Sequence, residues 1–176
     1  MEFLILGFIT GLSLILAIGA QNIFVIEQGL KKQYIFIVCL ICSLSDFFLI
    51  FIGIFLFEYF SNFFSLTIEL IFNLLLFFFL IFFIINKIKI NYENLKVNFS
   101  KDNLNLKNTI IKTLGFTYLN PHVYSDTVFF LGNFSKSFLL SQKYFFGFGA
   151  GIASLLFFFI IGYLSKFLSK YLKNKR

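Results

Sequence analysis

The sequence is poor in the residue types on which most enzymes and soluble domains depend. Among its 176 residues it has one histidine, one proline, two cysteines and no tryptophan, and charged side chains make up 13%. It contains no recognisable nucleotide-binding loop, metal-ligand cluster or nucleophile arrangement, so an enzyme or a bound cofactor is not expected. A charged fraction this low is also outside the range of an ordinary soluble domain.

Most of the sequence consists of apolar residues. Hydrophobic side chains make up 59% of the chain and the mean hydropathy is +0.91. Crossing the hydrocarbon core takes about 20 apolar residues, and the charged residues separate five such runs. The sequence therefore predicts an all-α polytopic membrane protein embedded in the lipid bilayer, with spans at 3–26, 34–57, 66–86, 113–135 and 144–165.

The basic residues are distributed unevenly between the two sides of these spans. Thirteen of the fifteen lie on one side: two after the first span, six within 87–112 and five from Lys166 to Arg176. The positive-inside rule then places the N-terminus outside and the C-terminus in the cytoplasm. The net charge of +7 is thus a topology signal, and nucleic-acid binding is not expected, because no basic recognition element stands out.

The polar segment 87–112 divides the single membrane domain, 1–176, into two halves. The first half, 1–86, holds three predicted spans, and the second, 113–176, holds two spans and a basic tail. The opening span of each half would enter from opposite sides, as in inverted-repeat transporters. Both opening spans carry a polar, breaker-containing cluster, which is Gly19 to Asn22 in one and Asn120, Pro121 and His122 in the other.

Two aspartates, Asp46 and Asp126, interrupt otherwise uncharged apolar runs. A carboxylate at the bilayer centre costs about 2.5–3.5 kcal/mol on insertion scales, so it is usually kept for function. His122 precedes Asp126 by four residues and shares its helix face, which suits a proton relay. We expect a cation or proton site. The alternative for the aspartates is a protonated side chain that makes a helix-packing hydrogen bond, and the alternative for His122 is a hydrogen-bonded residue of the cavity.

Three ordered segments carry a family resemblance. IGAQNIFVIEQGLKKQY, CSLSD and LNPHVYSDTVFFLG, beginning at Ile18, Cys42 and Leu119, resemble the LysE/ArgO family of basic amino acid exporters over essentially the whole chain. The resemblance implies an inner-membrane exporter of arginine or lysine. By position it assigns transport to Asp46, Asp126, Gln21, Asn22, Asn120 and Pro121. From the residue chemistry, the aspartates would pair with the substrate cation, and Gln21, Asn22 and Asn120 would contact its head group.

The sequence departs from the family pattern at two places. Ala20 stands where the family has a proline, which weakens the expected break in the first span. The family's usual sixth hydrophobic segment is absent before the chain stops at Arg176. Three explanations stay open: five helices suffice, a second subunit of a homo-oligomer covers the exposed face, or the chain is a truncated, non-transporting or accessory subunit.

Two further motifs allow other interpretations. Cys39 and Cys42 form a CxxC within the second span, for which we expect apolar packing, the alternative being a membrane thiol oxidoreductase. The pairs Gly7/Gly11 and Gly147/Gly151 predict close helix packing. Within the transporter class, a neutral amino acid or a metal cation is an alternative substrate.

Overall fold

The computed structural model describes residues 1–17, 19–61, 74, 78 and 105–173. Regular structure in these residues is entirely helical. The third predicted span, 66–86, lies outside the described residues apart from Leu74 and Phe78, as does most of the predicted loop 87–112. The elements in chain order are α1 (Glu2–Ile15), α2 (Ala20–Lys31), α3 (Ile35–Ser61), α4 (Leu106–Tyr118), α5 (Pro121–Tyr124), a π-helix (Ser125–Phe130), α6 (Leu131–Ser135) and α7 (Leu140–Lys173).

Two of the described helices are long and apolar enough to cross a membrane by themselves. They cover Ile35–Tyr59 in α3 and Leu140–Lys170 in α7. The second contains the predicted span 144–165, and the first begins one residue after the start of the predicted span 34–57. A third crossing is present if α1 and α2 form one bent span. Large apolar side chains such as Phe48 and Ile160 point outward, 62% and 60% exposed, as expected for helices that face lipid.

Neither opening span is one continuous helix. The predicted span 3–26 consists of α1 and α2, whose axes differ in direction by 80°, so the break forms even though Ala20 replaces the family's proline. Gly19, in an extended conformation, is the N-cap of α2. The predicted span 113–135 begins earlier, at Leu106, and is interrupted between Tyr118 and Pro121. Proline disfavours helix at the preceding residue, which explains this second interruption.

Helix α7 is the packing centre of the described residues, and α1, α2 and α3 all contact it. Glycines allow the backbones to come close. A Cβ on Gly11 would lie 2.9 Å from the Cα of Ala150, and a Cβ on Gly147 would lie 2.9 Å from the ring of Phe51. The predicted close packing of both glycine pairs is confirmed, with α1 against α7 and α7 against α3.

The two cysteines lie inside the core, with side chains fully excluded from solvent. Both are free thiols. The Cys39 thiol donates a hydrogen bond to the carbonyl oxygen of Phe158 at 3.2 Å, and the Cys42 sulfur lies 4.0 Å from the hydroxyl of Thr117. The predicted packing role of the CxxC is confirmed.

Candidate functional site

A cavity of about 50 Å³ lies where the two helix breaks meet α3 and α7. Its wall brings together six of the seven residues predicted from the sequence, and they come from three separate parts of the chain. The seventh, Pro121, begins α5 beside the cavity. The six predicted residues in the wall are Gln21, Asn22, Asp46, Asn120, His122 and Asp126.

The two breaks lie beside each other at this cavity. A Cβ placed on Gly19, in the first break, would lie 3.4 Å from the Cδ2 atom of His122 and 3.5 Å from the Nδ2 atom of Asn120. These are ordinary van der Waals distances for the added atom, so about one methyl group would fit between the backbone of the first break and the side chains of the second. Irregular backbone at membrane depth is tolerated where it lines a polar cavity, because its free polar groups then have partners.

Each break is held by an asparagine. The Nδ2 atom of Asn22 donates to the carbonyl oxygens of Ile15 at 3.0 Å and Ala17 at 3.2 Å, at the C-terminal end of α1. The Oδ1 atom of Asn120 accepts a hydrogen bond from the backbone N–H of His122 at 3.2 Å. Both side chains therefore satisfy backbone groups that the breaks leave without helical partners. One part of each side-chain amide therefore has a structural role, in addition to the substrate contact that the sequence predicts.

Asp46 is the most deeply buried acidic residue of the cavity, 3% exposed. Its Oδ2 atom accepts a hydrogen bond from the hydroxyl of Ser154 on α7 at 2.9 Å. Within the described part of the chain, neither its Oδ1 atom nor the buried Nε2 atom of Gln21 makes a hydrogen bond of good geometry, although the Gln21 side chain lies within interaction range of Asp46. Buried polar atoms in native structures nearly always have a partner. These two line the cavity and are placed to bond a water or a ligand there.

Asp126 lies in the π-helical turn, one helical turn after His122. The Nδ1 atom of His122 is 3.4 Å from the Oδ1 atom of Asp126, and both side chains are about five-sixths buried, at 17% and 18% exposed. π-helical turns are rare and occur frequently at functional sites, where they redirect side chains. The predicted His122/Asp126 pair is thus present, on an irregular turn that the sequence pattern did not indicate.

Close contact with α3 brings this turn to Asp46. A Cβ on Gly53 would lie 2.6 Å from the Cα atom and from the carbonyl oxygen of Val128. The small residue lets the π-helix approach α3, so that the two aspartates line one cavity. No lysine or arginine is among the lining residues that the structure describes, so the ionised carboxylates would favour a cation there.

The size of the cavity limits what this conformation can hold. One water needs about 10–15 Å³ measured this way, so the space accommodates about four waters. Ligand pockets for molecules of drug size are several-fold larger, about 300–1,000 Å³. The cavity is large enough for a few waters but too small to enclose an amino acid. Binding an amino acid would therefore require the helices to move apart.

Sequence reasoning missed Ser154, although it forms a direct hydrogen bond with Asp46. A serine in an apolar helix is common and carries no anomaly of its own. Its spacing from Gly151 and Gly147, three and seven residues earlier, places it on the small-residue face that packs against α3. Across the residues that are described, no group of three His, Cys, Asp or Glu side chains is arranged to hold a metal ion.

Comparisons with known proteins agree with the resemblance seen in the sequence. Residues 12–176 match the family described as LysE type translocator. The chain is 34% identical to a protein named arginine exporter protein ArgO from Pectobacterium atrosepticum, with 97% of this chain and 84% of the relative covered. It is 33% identical to a protein named putative amino-acid transporter YggA from Aeromonas hydrophila, with 97% and 76% covered. No solved structure gives a significant match.

Proposed function

The chain belongs to the LysE type translocator family, and from that premise we propose that it exports a basic amino acid, arginine or lysine, across the inner membrane. Family membership makes it a membrane transporter and not an enzyme. The observation that carries the substrate proposal is that Asp46 and Asp126 line one cavity. Two carboxylates on separate helices suit a cargo that bears a side-chain cation.

The chemistry of the cavity matches the parts of such a molecule. A guanidinium or ammonium group would pair with Asp46 and Asp126, where exclusion of water strengthens charge-assisted hydrogen bonds. The Nε2 atom of Gln21 is a donor that suits the α-carboxylate. Asn22 and Asn120 hold the breaks, and their amide atoms that do not bond the backbone would contact the head group of the substrate. The relatives named arginine exporters support this assignment.

The order of the helices supports an inverted-repeat architecture as part of the proposal. A broken helix pair followed by one long helix occurs twice: α1, α2 and α3, and then α4, α5 to α6, and α7. The two repeats would carry the cation site where their breaks lie beside each other, with the N-terminus outside and the C-terminus in the cytoplasm. Alternating access would come from movement of one repeat against the other.

Energy for export would come from the membrane potential or from proton exchange. Each elementary charge that crosses the membrane is worth about 2.3 kcal/mol per 100 mV. The His122/Asp126 pair places an imidazole, which can take up or release a proton, beside a carboxylate. Binding of the substrate cation at Asp126 would compete with the protonated imidazole for the same carboxylate, which links the two events.

Efflux of radiolabelled arginine from cells that express the full chain tests the proposal. We expect Asp46→Asn and Asp126→Asn each to abolish efflux at unchanged protein level. Glu2→Gln is the matched control, because Glu2 is an acidic residue outside the cavity wall, and it should leave efflux unchanged. Efflux that persists in both aspartate variants would disprove the site.

Competition for efflux identifies the substrate class. Unlabelled arginine and lysine should each slow the loss of labelled arginine, since both carry a cationic side chain in the cell. Threonine should have no effect. Competition by threonine as strong as that by lysine would instead indicate a carrier of small neutral amino acids.

A further inference from the structure

Three threonines form a buried row on α4 outside the cavity. Thr109, Thr113 and Thr117 are spaced four residues apart and are fully buried, whereas Ile111 on the opposite face and Leu114 at the side of the row are 57% and 38% exposed. The hydroxyl of Thr113 donates to the backbone carbonyl of Thr109 at 2.7 Å. Threonines commonly bond their own helix in this way, so the row alone indicates no more than helix packing.

A buried glutamine on α2 provides the second observation. Gln28 is fully buried, and among the described residues neither its side-chain nitrogen nor its side-chain oxygen has a hydrogen-bond partner. Burying an amide without partners is costly in an apolar environment. One turn earlier on α2, the Phe24 ring contacts the Phe116 ring of α4 at 4.9 Å between centroids. Residues four apart share a helix face, so Gln28 lies on the face of α2 that contacts α4.

The row and the glutamine connect to the cavity. Cys42, one turn from Asp46 on α3, lies 4.0 Å from the hydroxyl of Thr117. Gln21, which lines the cavity, lies two turns from Gln28 on the same face of α2. The polar groups therefore run from Asp46 along α4 and α2. They lead toward the side of the membrane that holds the α2–α3 turn and the start of α4.

We propose that Gln28, Thr109, Thr113 and Thr117, which we call the polar track, form the cytoplasmic half of the substrate path. The inference rests on the proposed function for its cargo and its orientation. The neutral amide and hydroxyl groups of the track would replace part of the hydration shell of a basic amino acid. They carry no fixed charge that would hold the substrate too tightly. Passage needs binding strong enough for entry and weak enough for release. The track is packed shut in this structure, with the Phe24–Phe116 contact between Gln28 and the cavity, and the empty carrier opens it toward the cytoplasm so that substrate can enter and occupy it.

Cysteine accessibility in membrane vesicles tests the track. The full-length parent carries Cys39→Ser and Cys42→Ser, and single cysteines are added as Thr113→Cys or Gln28→Cys. Leu114→Cys is the matched control, since it neighbours Thr113 on α4 but faces outward. The probe is a membrane-impermeant cationic methanethiosulfonate added to inside-out vesicles. Thr113→Cys and Gln28→Cys should react about tenfold faster than Leu114→Cys, because a thiol must be hydrated to ionise to the reactive thiolate.

Added arginine or lysine should slow the reaction at both track positions and leave the control rate unchanged. Equal rates at Thr113→Cys and Leu114→Cys, or reaction at the track only in right-side-out vesicles, would overturn the assignment. So would labelling that neither amino acid slows. Arginine efflux by the parent tests the proposed function separately. Efflux without labelling refutes the track alone, and labelling without efflux refutes the basic amino acid as cargo.

Discussion

Gly53→Ala tests the contact that brings the two aspartates to one cavity. The added Cβ would lie 2.6 Å from backbone atoms of Val128, and backbone cannot rotate away as a side chain can. Overpacking of this kind costs about 1–3 kcal/mol. For a chain of this size, about 1 kcal/mol shifts the melting temperature by about 2–4 °C. We therefore expect Gly53→Ala to melt about 2–12 °C below the parent.

Melting can be followed by the cysteines of the protein itself. Cys39 and Cys42 are fully buried, so a dye that fluoresces on reaction with thiols reports their exposure as the detergent-solubilised protein unfolds. Arginine efflux should fall in the same variant, because separation of α3 from the π-helix moves Asp126 away from Asp46.

The same substitution at Gly115 is the matched control. Gly115 lies inside α4, and a Cβ there would meet nothing within 4 Å among the described residues. Replacing glycine with alanine inside a helix gains up to about 1 kcal/mol, so Gly115→Ala should melt at the parent temperature or a few degrees above it. A melting temperature for Gly53→Ala equal to or above that of the parent would refute the close contact.

Three other variants test separate parts of the account. Ser154→Ala removes the hydrogen bond to Asp46 and should raise the KM for efflux by about 10- to 150-fold, since a hydrogen bond to a charged group is worth about 1.5–3 kcal/mol. Ser154→Thr keeps the hydroxyl and should retain efflux. Asn22→Asp cannot donate to the two carbonyls at the end of α1 and should lower stability by about 1–3 kcal/mol for the two lost bonds, measured by thermal melting; an unchanged melting temperature would contradict this role. Cys39→Ser with Cys42→Ser should leave arginine efflux intact, and its loss would favour thiol chemistry.

Both acidic residues of the candidate site can be identified from the sequence alone. Asp46 and Asp126 stand out because a charge in an apolar run is costly, and that energetic anomaly needs no knowledge of the fold. The break at Pro121 was also predictable, because proline disfavours helix at the residue before it.

Other parts of the site depend on geometry that no local pattern records. The break at Gly19 forms without a proline, where Asn22 bonds the end of α1. The roles of Asn22 and Asn120 as caps follow from where each helix stops, which sequence fixes only to within a few residues. Ser154 becomes significant only when α7 packs against α3, since serine is tolerated on any small-residue helix face.

The most direct test of the central claim is a double-mutant cycle of arginine binding to the purified full chain, with Asp46→Asn, Asp126→Asn and both together. If both carboxylates contact one bound cation, each single change should weaken binding by about 1.5–3 kcal/mol. The two effects should also be coupled, with the double variant departing from their sum by about 0.5 kcal/mol or more. Binding that survives both changes, or losses that add independently, would contradict a shared cation site.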